Sequence, residues 1–299
     1  MGDGQMGDGQ TGAGDTGVRW MFHATAMGPS YEAMFEPLER FFGARVMHFQ
    51  ENDAPAVERR GGMTWIADNS IELGAPYGES TAIRAFVERF GGGMHSVAVQ
   101  VADLGAALER AAAYGVEVGA RVSDEIVFTR PGATAGLLLE WAAHRQDDDP
   151  RWGAPEPAYA APPVVVPDRV AFVGALVADP AADGAVLGEV LGTRVTVLDD
   201  ASGPDVPHAT VDLGDCVLAL YPLPPAAECE DLWGAVHARP RCLSLGLTVP
   251  DLAVAELALA DAGVRARRRA GDGSLVLGPE VCTFPVVLTD RLLEGDPRR

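Results

Sequence analysis

Five polar residues interrupt apolar, strand-like stretches in the first half of the chain: His23, Glu72, His95, Ser96 and Glu140. Glu72 follows His23 by 49 residues and Glu140 follows His95 by 45, so two successive stretches each set an imidazole and then a carboxylate at corresponding points. An ionised carboxylate on a buried strand is costly unless it is paired or bound to a cation. Glu140 lies in GLLLEW, where three leucines before it and a tryptophan after it argue burial. Imidazoles and carboxylates around one centre suit a divalent metal ion: iron, manganese, cobalt, nickel or zinc.

The elements that must position these groups follow from hydropathy patterning. The first half reads as a strand over 20–27, a helix over 31–42, strands over 45–50, 63–67 and 70–75, and a linking helix over 79–90. The pattern restarts at Met94 and closes with strands over 126–129 and 136–142. It also recurs on a larger scale. MHSVAVQVADLGAALERAAAYGVEV, from Met94, and CLSLGLTVPDLAVAELALADAGVRA, from Cys242, are offset by 148 residues. Both are an alternating strand, then Asp-Leu, then an apolar-periodic helix. Asp103 and Asp251 stand at N-cap positions, and Gly115 and Gly263 at the helix exits.

Four strand–helix–strand–strand–strand (βαβββ) units predict an α+β protein with two tandem domains of curved mixed sheets, over residues 18–145 and 168–290. Two units packed about a pseudo-twofold converge the polar residues on one concavity. A glycine-rich tail over 1–17, a proline-rich linker over 146–167 and a C-terminal tail over 291–299 complete the expected organisation.

Composition excludes several function classes. The chain has 299 residues, with 43 acids against 23 bases and a net charge of −20. Every base is arginine, so neither a Schiff-base lysine nor a phosphate-loop lysine is available. Acidity of this size opposes binding to nucleic acid and to anionic membranes. No apolar run approaches the roughly 20 residues that span a bilayer, and no leader pattern opens the chain, so a cytoplasmic protein is expected. Cys216, Cys229, Cys242 and Cys282 form no C-x-x-C pair and read as buried apolar residues. Arg267, Arg268 and Arg269 read as a solvated edge strand. His48, His144, His208 and His237 receive no role.

The stretches WMFHATAMG, SIELGAPYGESTAIRAFVERFGGGMHSVAVQVADL and AGLLLEWAAH resemble a vicinal-oxygen-chelate domain, the glyoxalase, bleomycin-resistance and dioxygenase superfamily. The phrase E-L-x-A-P with the following E-S-T resembles the methylmalonyl-CoA epimerase branch. The resemblance implies paired βαβββ units forming a cup, with four strand residues holding a divalent metal that chelates substrate oxygens. His23 matches the first ligand, Glu72 the second (the glyoxalase choice) and Glu140 the fourth. Ser96 occupies the third position, and His95 stands one residue early, which turns it from the cup unless a bulge intervenes. The epimerases' additional glutamate would fall near Met63, where no acid stands, and Glu58 lies in the loop before that strand.

In the second half the four positions carry Phe172 or its neighbour, Ala219, Ser244 and Val287 or Leu288, so no metal site is expected there. That half is expected to cover the first domain, or to line a shared pocket through Tyr221 and Trp233. Trp65, Trp141, Phe128 and Phe49 are candidates either for pocket lining or for ordinary sheet packing.

The leading functional expectation is a metal-dependent lyase or isomerase acting on a small carbonyl or thioester substrate through a metal-stabilised enolate, with Glu140 or Glu72 as base. One alternative is a metal-free protein sequestering an aromatic or drug-like ligand. Another is iron-dependent extradiol-type oxygenation, which would call on His95 because such iron sites take two histidines and one carboxylate. A small molecule is the expected partner, and a homodimer is compatible with the resemblance.

Overall fold

A computed structural model gives the fold and describes residues 17–52, 59–78, 82–198, 203–233 and 239–299. Glu58, His237, the first three residues of the expected linking helix and all but the last residue of the expected N-terminal tail lie outside the described residues.

The first half runs β1 (Val18–Met27), α1 (Tyr31–Phe42), β2 (Arg45–Asn52), β3 (Arg59–Ile66), β4 (Asn69–Pro76), α2 (Ala82–Phe90), β5 (Gly93–Val101), α3 (Leu104–Ala113), β6 (Val118–Arg121), β7 (Ile126–Thr129) and β8 (Leu138–Ala142). The second half runs β9 (Arg169–Val177), α4 (Pro180–Leu191), β10 (Val195–Val197), β11 (Ala209–Asp212), β12 (Val217–Pro222), α5 (Ala226–Trp233), β13 (Arg241–Thr248), α6 (Leu252–Asp261), β14 (Arg267–Arg268), β15 (Leu275–Leu277), α7 (Pro279–Cys282) and β16 (Val286–Thr289). Each half folds into an open eight-stranded mixed sheet. The orders are β2-β3-β4-β1-β5-β8-β7-β6 and β10-β11-β12-β9-β13-β16-β15-β14, which are one topology written twice.

The local chemistry of the helices is also duplicated. Asp103 accepts from the Ala106 N–H and Asp251 from those of Ala253 and Val254, as N-caps do. Gly115 and Gly263, at φ of 79° and 83°, take the left-handed conformation that ends a helix.

Side chains alternate across each sheet. Met21, Ala24, Ile71, Val97, Val99, Leu139 and Trp141 join the core beneath the helices with Met34, Leu38 and Ala107, and this core continues into the second half. Trp141 is therefore a packing residue, fully buried on the helix side. Phe49 is 43% exposed. The opposite face of the first sheet carries His23, Thr25, Glu72, Ser96, Ala98 and Glu140, as the pairings His23↔Ala98, Ala98↔Glu140 and Thr25↔Glu72 require.

A reciprocal clasp joins the halves. Asp-Pro-Arg occurs at 149–151 and again at 296–298, an offset of 147, the same offset that separates Asp68 from Asp215. Asp215 accepts from the Met21 N–H at 2.9 Å and pairs with Arg151 at 3.1 Å. Asp68 accepts from the Val170 N–H at 2.8 Å and pairs with Arg298 at 3.0 Å. Arg151 also donates to the carbonyls of Met21 and Phe22, at 2.6 and 2.7 Å. Each arginine is held by its own aspartate, Asp149 or Asp296, both buried. Residues 146–167 thus lie against the fold, and the Val164 and Val165 N–H groups donate to the carbonyls of Arg40 and Phe41. For the cup, the consequence is that the strand entering His23 is fixed one and two residues before it.

Candidate metal centre

Three elements deliver the central groups. β1 carries His23, β4 carries Glu72 and β8 carries Glu140, all three nearly inaccessible to solvent. A bulge at Phe22 changes the β1–β5 register just before His23 and sets the imidazole on the cup face. His23 Nε2 lies 3.6 Å from Glu72 Oε2 and 3.4 Å from Glu140 Oε2. One ligand atom from each residue falls within 4.8 Å of the others. Neither ring nitrogen of His23 makes a hydrogen bond, although both are buried. A buried polar atom without a partner costs roughly 1–3 kcal/mol. A divalent metal ion accepts the lone pair of such an imidazole nitrogen and the charge of both carboxylates, so the residues fit one.

Arg59 completes the electrostatics, and no spacing in the sequence singled it out. It opens β3, and its guanidinium pairs closely with Glu72 Oε1, leaving Oε2 turned to His23. Burial alone would raise the Glu72 pKa, but Arg59 and then His23 outweigh it and hold the carboxylate below its ordinary range. Burial likewise opposes a charged His23, but Glu140 and Glu72 together raise its pKa above the ordinary value. Among the described residues, Glu140 has His23 as its one charged neighbour within salt-bridge distance. The signal that could have found Arg59 is positional: it opens the strand that pairs Met63 with Glu72, four residues before Met63 and on the same face.

His95 occupies a bulge. β5 pairs Ser96 with Thr25 and then Met94 with Ala26, so His95 is the extra residue. The bulge keeps Ser96 on the cup face in the register of the family's third ligand. The His95 ring packs edge-on against Phe86, with centroids 4.9 Å apart, and its Nδ1 lies 3.3 Å from Ser96 Oγ. It stands outside the His23–Glu72–Glu140 group and lines an adjoining cavity of about 530 Å³ with Ile83, Phe128, Thr129 and Leu138. Phe128 pairs with Glu140 across β7 and β8, which places the cavity against the buried trio. Burial, reinforced by Arg241 and Arg59 and opposed by Glu72, pushes the His95 pKa down to about 4. Its imidazole is therefore neutral at pH 7.

The second sheet lacks every counterpart. Its registers pair Phe172 with Gly246, Gly246 with Val287, and Gly174 with Ala219, so these residues take the places of His23, Glu140 and Glu72. Tyr221 and Trp233, expected to line a shared pocket, instead fill their own cup, rings edge-on at 5.0 Å. Arg269 is not a solvated edge residue. Its guanidinium is buried 4.4 Å from the Trp233 ring and donates to the Asp205 carbonyl. All four cysteines are buried and outside any disulfide, as their isolation in the sequence predicts.

No family model matches the chain, and no curated protein does. Solved structures do. A triple mutant of 4-hydroxymandelate synthase from Streptomyces coelicolor superposes at a TM-score of 0.64 and 12% identity, covering 93% of this chain and 94% of that one. The Mn(II)-bound glyoxalase from Novosphingobium aromaticivorans gives a TM-score of 0.58 at 12% identity, covering 95% and 85%. A xylose isomerase-like TIM barrel/4-hydroxyphenylpyruvate dioxygenase fusion protein gives 0.57 at 14% identity over 92% of this chain. The chain spans 49% of the length of that fusion protein. No described helix is long and apolar enough to cross a membrane.

Proposed function

Because the chain carries the tandem vicinal-oxygen-chelate fold, we propose that its first half is a metalloenzyme domain of lyase or isomerase character acting on a small carbonyl or thioester substrate. His23, Glu72 and Glu140 would hold one divalent cation. The observation that carries this reading is the His23 imidazole, buried between two carboxylates with neither nitrogen hydrogen-bonded.

The donor set bears on the chemistry. One imidazole and two carboxylates reverse the two-histidine, one-carboxylate set of iron oxygenases, and His95 stands outside the group. A cation bound here supplies Lewis-acid polarisation of a substrate carbonyl and favours loss of the neighbouring proton. The chain's own residues divide the remaining work. Arg59 neutralises and orients Glu72, which keeps that carboxylate ionised. Glu140, which has no arginine partner among the described residues, is the carboxylate free to take the proton. The adjoining cavity of about 530 Å³ is of small-molecule size, and Ile83, Phe128 and Leu138 give it an apolar wall that excludes water.

A second reading rests on charge balance. Arg59 and a protonated His23 offset Glu72 and Glu140 without any cation, which suits a metal-free protein that sequesters an apolar ligand. Elemental analysis by mass spectrometry separates the two. Untagged protein purified without chelators is expected to carry about one transition-metal ion per chain, lost in Glu72→Ala and Glu140→Gln, with turnover abolished. Folded wild-type protein free of metal would overturn the enzyme reading.

A further inference from the structure

A second cavity, of about 300 Å³, lies on the seam between the halves, away from the His23 group. Its walls come from the Phe90–Gly93 turn of the first half and from Arg241, Leu243 and Phe284 of the second. Arg241 is 8% exposed. Its Nε donates to the Cys242 carbonyl at 3.1 Å and its Nη2 reaches the Met94 carbonyl at 3.4 Å. No carboxylate pairs with it among the described residues. Another cation, Arg239, acts on it electrostatically; Arg239 stacks 3.7 Å over the Phe90 ring and has its buried Nε unpartnered among the described residues.

The fold makes room for this arginine at a cost. Gly93 has φ of 126°, a backbone conformation that disfavours any side chain, and a Cβ there would stand 2.6 Å from Arg241 Nη2, so the guanidinium would have to move. Glu280, the one acid on the cavity wall, folds its carboxylate back over Gly278 instead of reaching Arg241. A buried guanidinium without a counter-ion is unfavourable by several kcal/mol in general. Here it occurs in a chain of net charge −20, where an acidic partner would be easy to supply. An anion from outside the chain would supply the partner that no described residue supplies.

We propose that the seam cavity binds a small organic carboxylate, with Arg241 taking the carboxylate and Phe90, Leu243 and Phe284 enclosing its apolar body. Arg241 presents its guanidinium in the planar arrangement that suits a carboxylate, and Phe90, Leu243, Pro279, Phe284 and Pro285 make most of the wall apolar beside Glu280 and Thr283, which suits an aromatic acid better than a fully hydrated phosphate. Arg239 adds positive potential from the rim.

Titration calorimetry with benzoate and, separately, inorganic phosphate tests this on the full chain after dialysis against a chelator, so that the His23 group contributes no metal. Benzoate is expected to bind one per chain and to lose at least tenfold in affinity in Arg241→Met, with a several-fold loss in Arg239→Gln. Glu140→Gln should bind benzoate as the wild type does, which separates this site from the proposed metal centre. If Arg241→Met does not fold, Arg239→Gln carries the test alone. Absence of binding, binding that neither arginine variant weakens, or tighter binding of phosphate than benzoate would each overturn the proposal.

Discussion

The two cups hold opposite contents on one scaffold. The strand registers place His23 opposite Phe172, Glu72 opposite Ala219 and Glu140 opposite Val287 in the duplicated frame. The first cup buries an imidazole, two carboxylates and a guanidinium beside an open cavity. The second buries Phe172, Tyr221, Trp233, Leu243 and Val287 against one another. The ring of Phe172 lies over Gly246, where even a Cβ would collide with it. Ionisable groups in the first cup carry a standing desolvation cost that only function offsets. The second cup holds no such groups, and its apolar side chains gain the burial energy of an ordinary core. The difference sets a polar, ionisable cup in the first half against an apolar, packed one in the second.

Exchanging residues between the cups should expose this asymmetry most strongly. Ala219→Glu places a carboxylate in a filled cup whose buried guanidinium, that of Arg269, already stacks on Trp233 and donates to the Asp205 carbonyl, and should cost more than about 4 kcal/mol. The mirror change, Glu72→Ala, leaves Arg59 without its partner and should cost about 1–3 kcal/mol while abolishing metal binding. Urea unfolding of both variants provides the comparison. Equal losses would mean that the first cup is as dependent on its charges as the second is on its packing.

Much of this was legible in the sequence because it depends on local pattern. The 148-residue offset, the Asp103 and Asp251 caps and the alternation around His23 and Glu140 come from period and residue type alone, and they gave the four-unit fold and the three central residues. What escaped depends on contacts between distant segments. Arg59 reads as a loop residue until β3 is paired with β4. Arg269 reads as an exposed base until the second cup closes around it. The two Asp-Pro-Arg triplets fall in stretches read as a linker and a tail, and only their reciprocal bonds to Asp215 and Asp68 reveal them as parts of the duplication. His95 lies between these cases: the one-residue offset is visible, whereas the bulge that absorbs it is a property of the paired strands.

The clasp allows a second comparison between the halves, with a smaller difference. Arg151 hydrogen-bonds six groups: Asp149, Asp215, Asn69, Ser70 and the carbonyls of Met21 and Phe22. Arg298 engages Asp68, Asp296 and the Val170 carbonyl. Removing one partner from a buried charge network costs about 3–5 kcal/mol, so Arg151→Met should lose an amount in that range and Arg298→Met less. Arg151→Met should also loosen β1 and weaken metal retention at His23, which Arg298→Met should spare. Denaturation midpoints and metal content measured together decide this. A larger loss in Arg298→Met would mean that the second clasp, not the first, holds the halves together.

The smallest expected effect separates the two bulges. His95 and Leu243 occupy the same bulge in β5 and β13, and only His95 titrates. Its pKa is lowered from 6.5 to about 4, chiefly by burial. As pH falls, the unfolded chain takes up a proton at this position near 6.5 while the folded chain resists until about 4, so the residue subtracts stability progressively across that window. The full contribution, at about 1.4 kcal/mol per pH unit, is at most about 3 kcal/mol. Acidic side chains change stability over the same range, so the informative quantity is the difference between wild type and His95→Gln. The variant should lose less stability than the wild type between pH 6.5 and pH 4.5, as read by urea midpoints, whereas Leu243→Ala should shift both pH values equally. A wild-type curve parallel to that of His95→Gln would mean that the imidazole accepts its proton freely and faces solvent rather than the packed ring of Phe86.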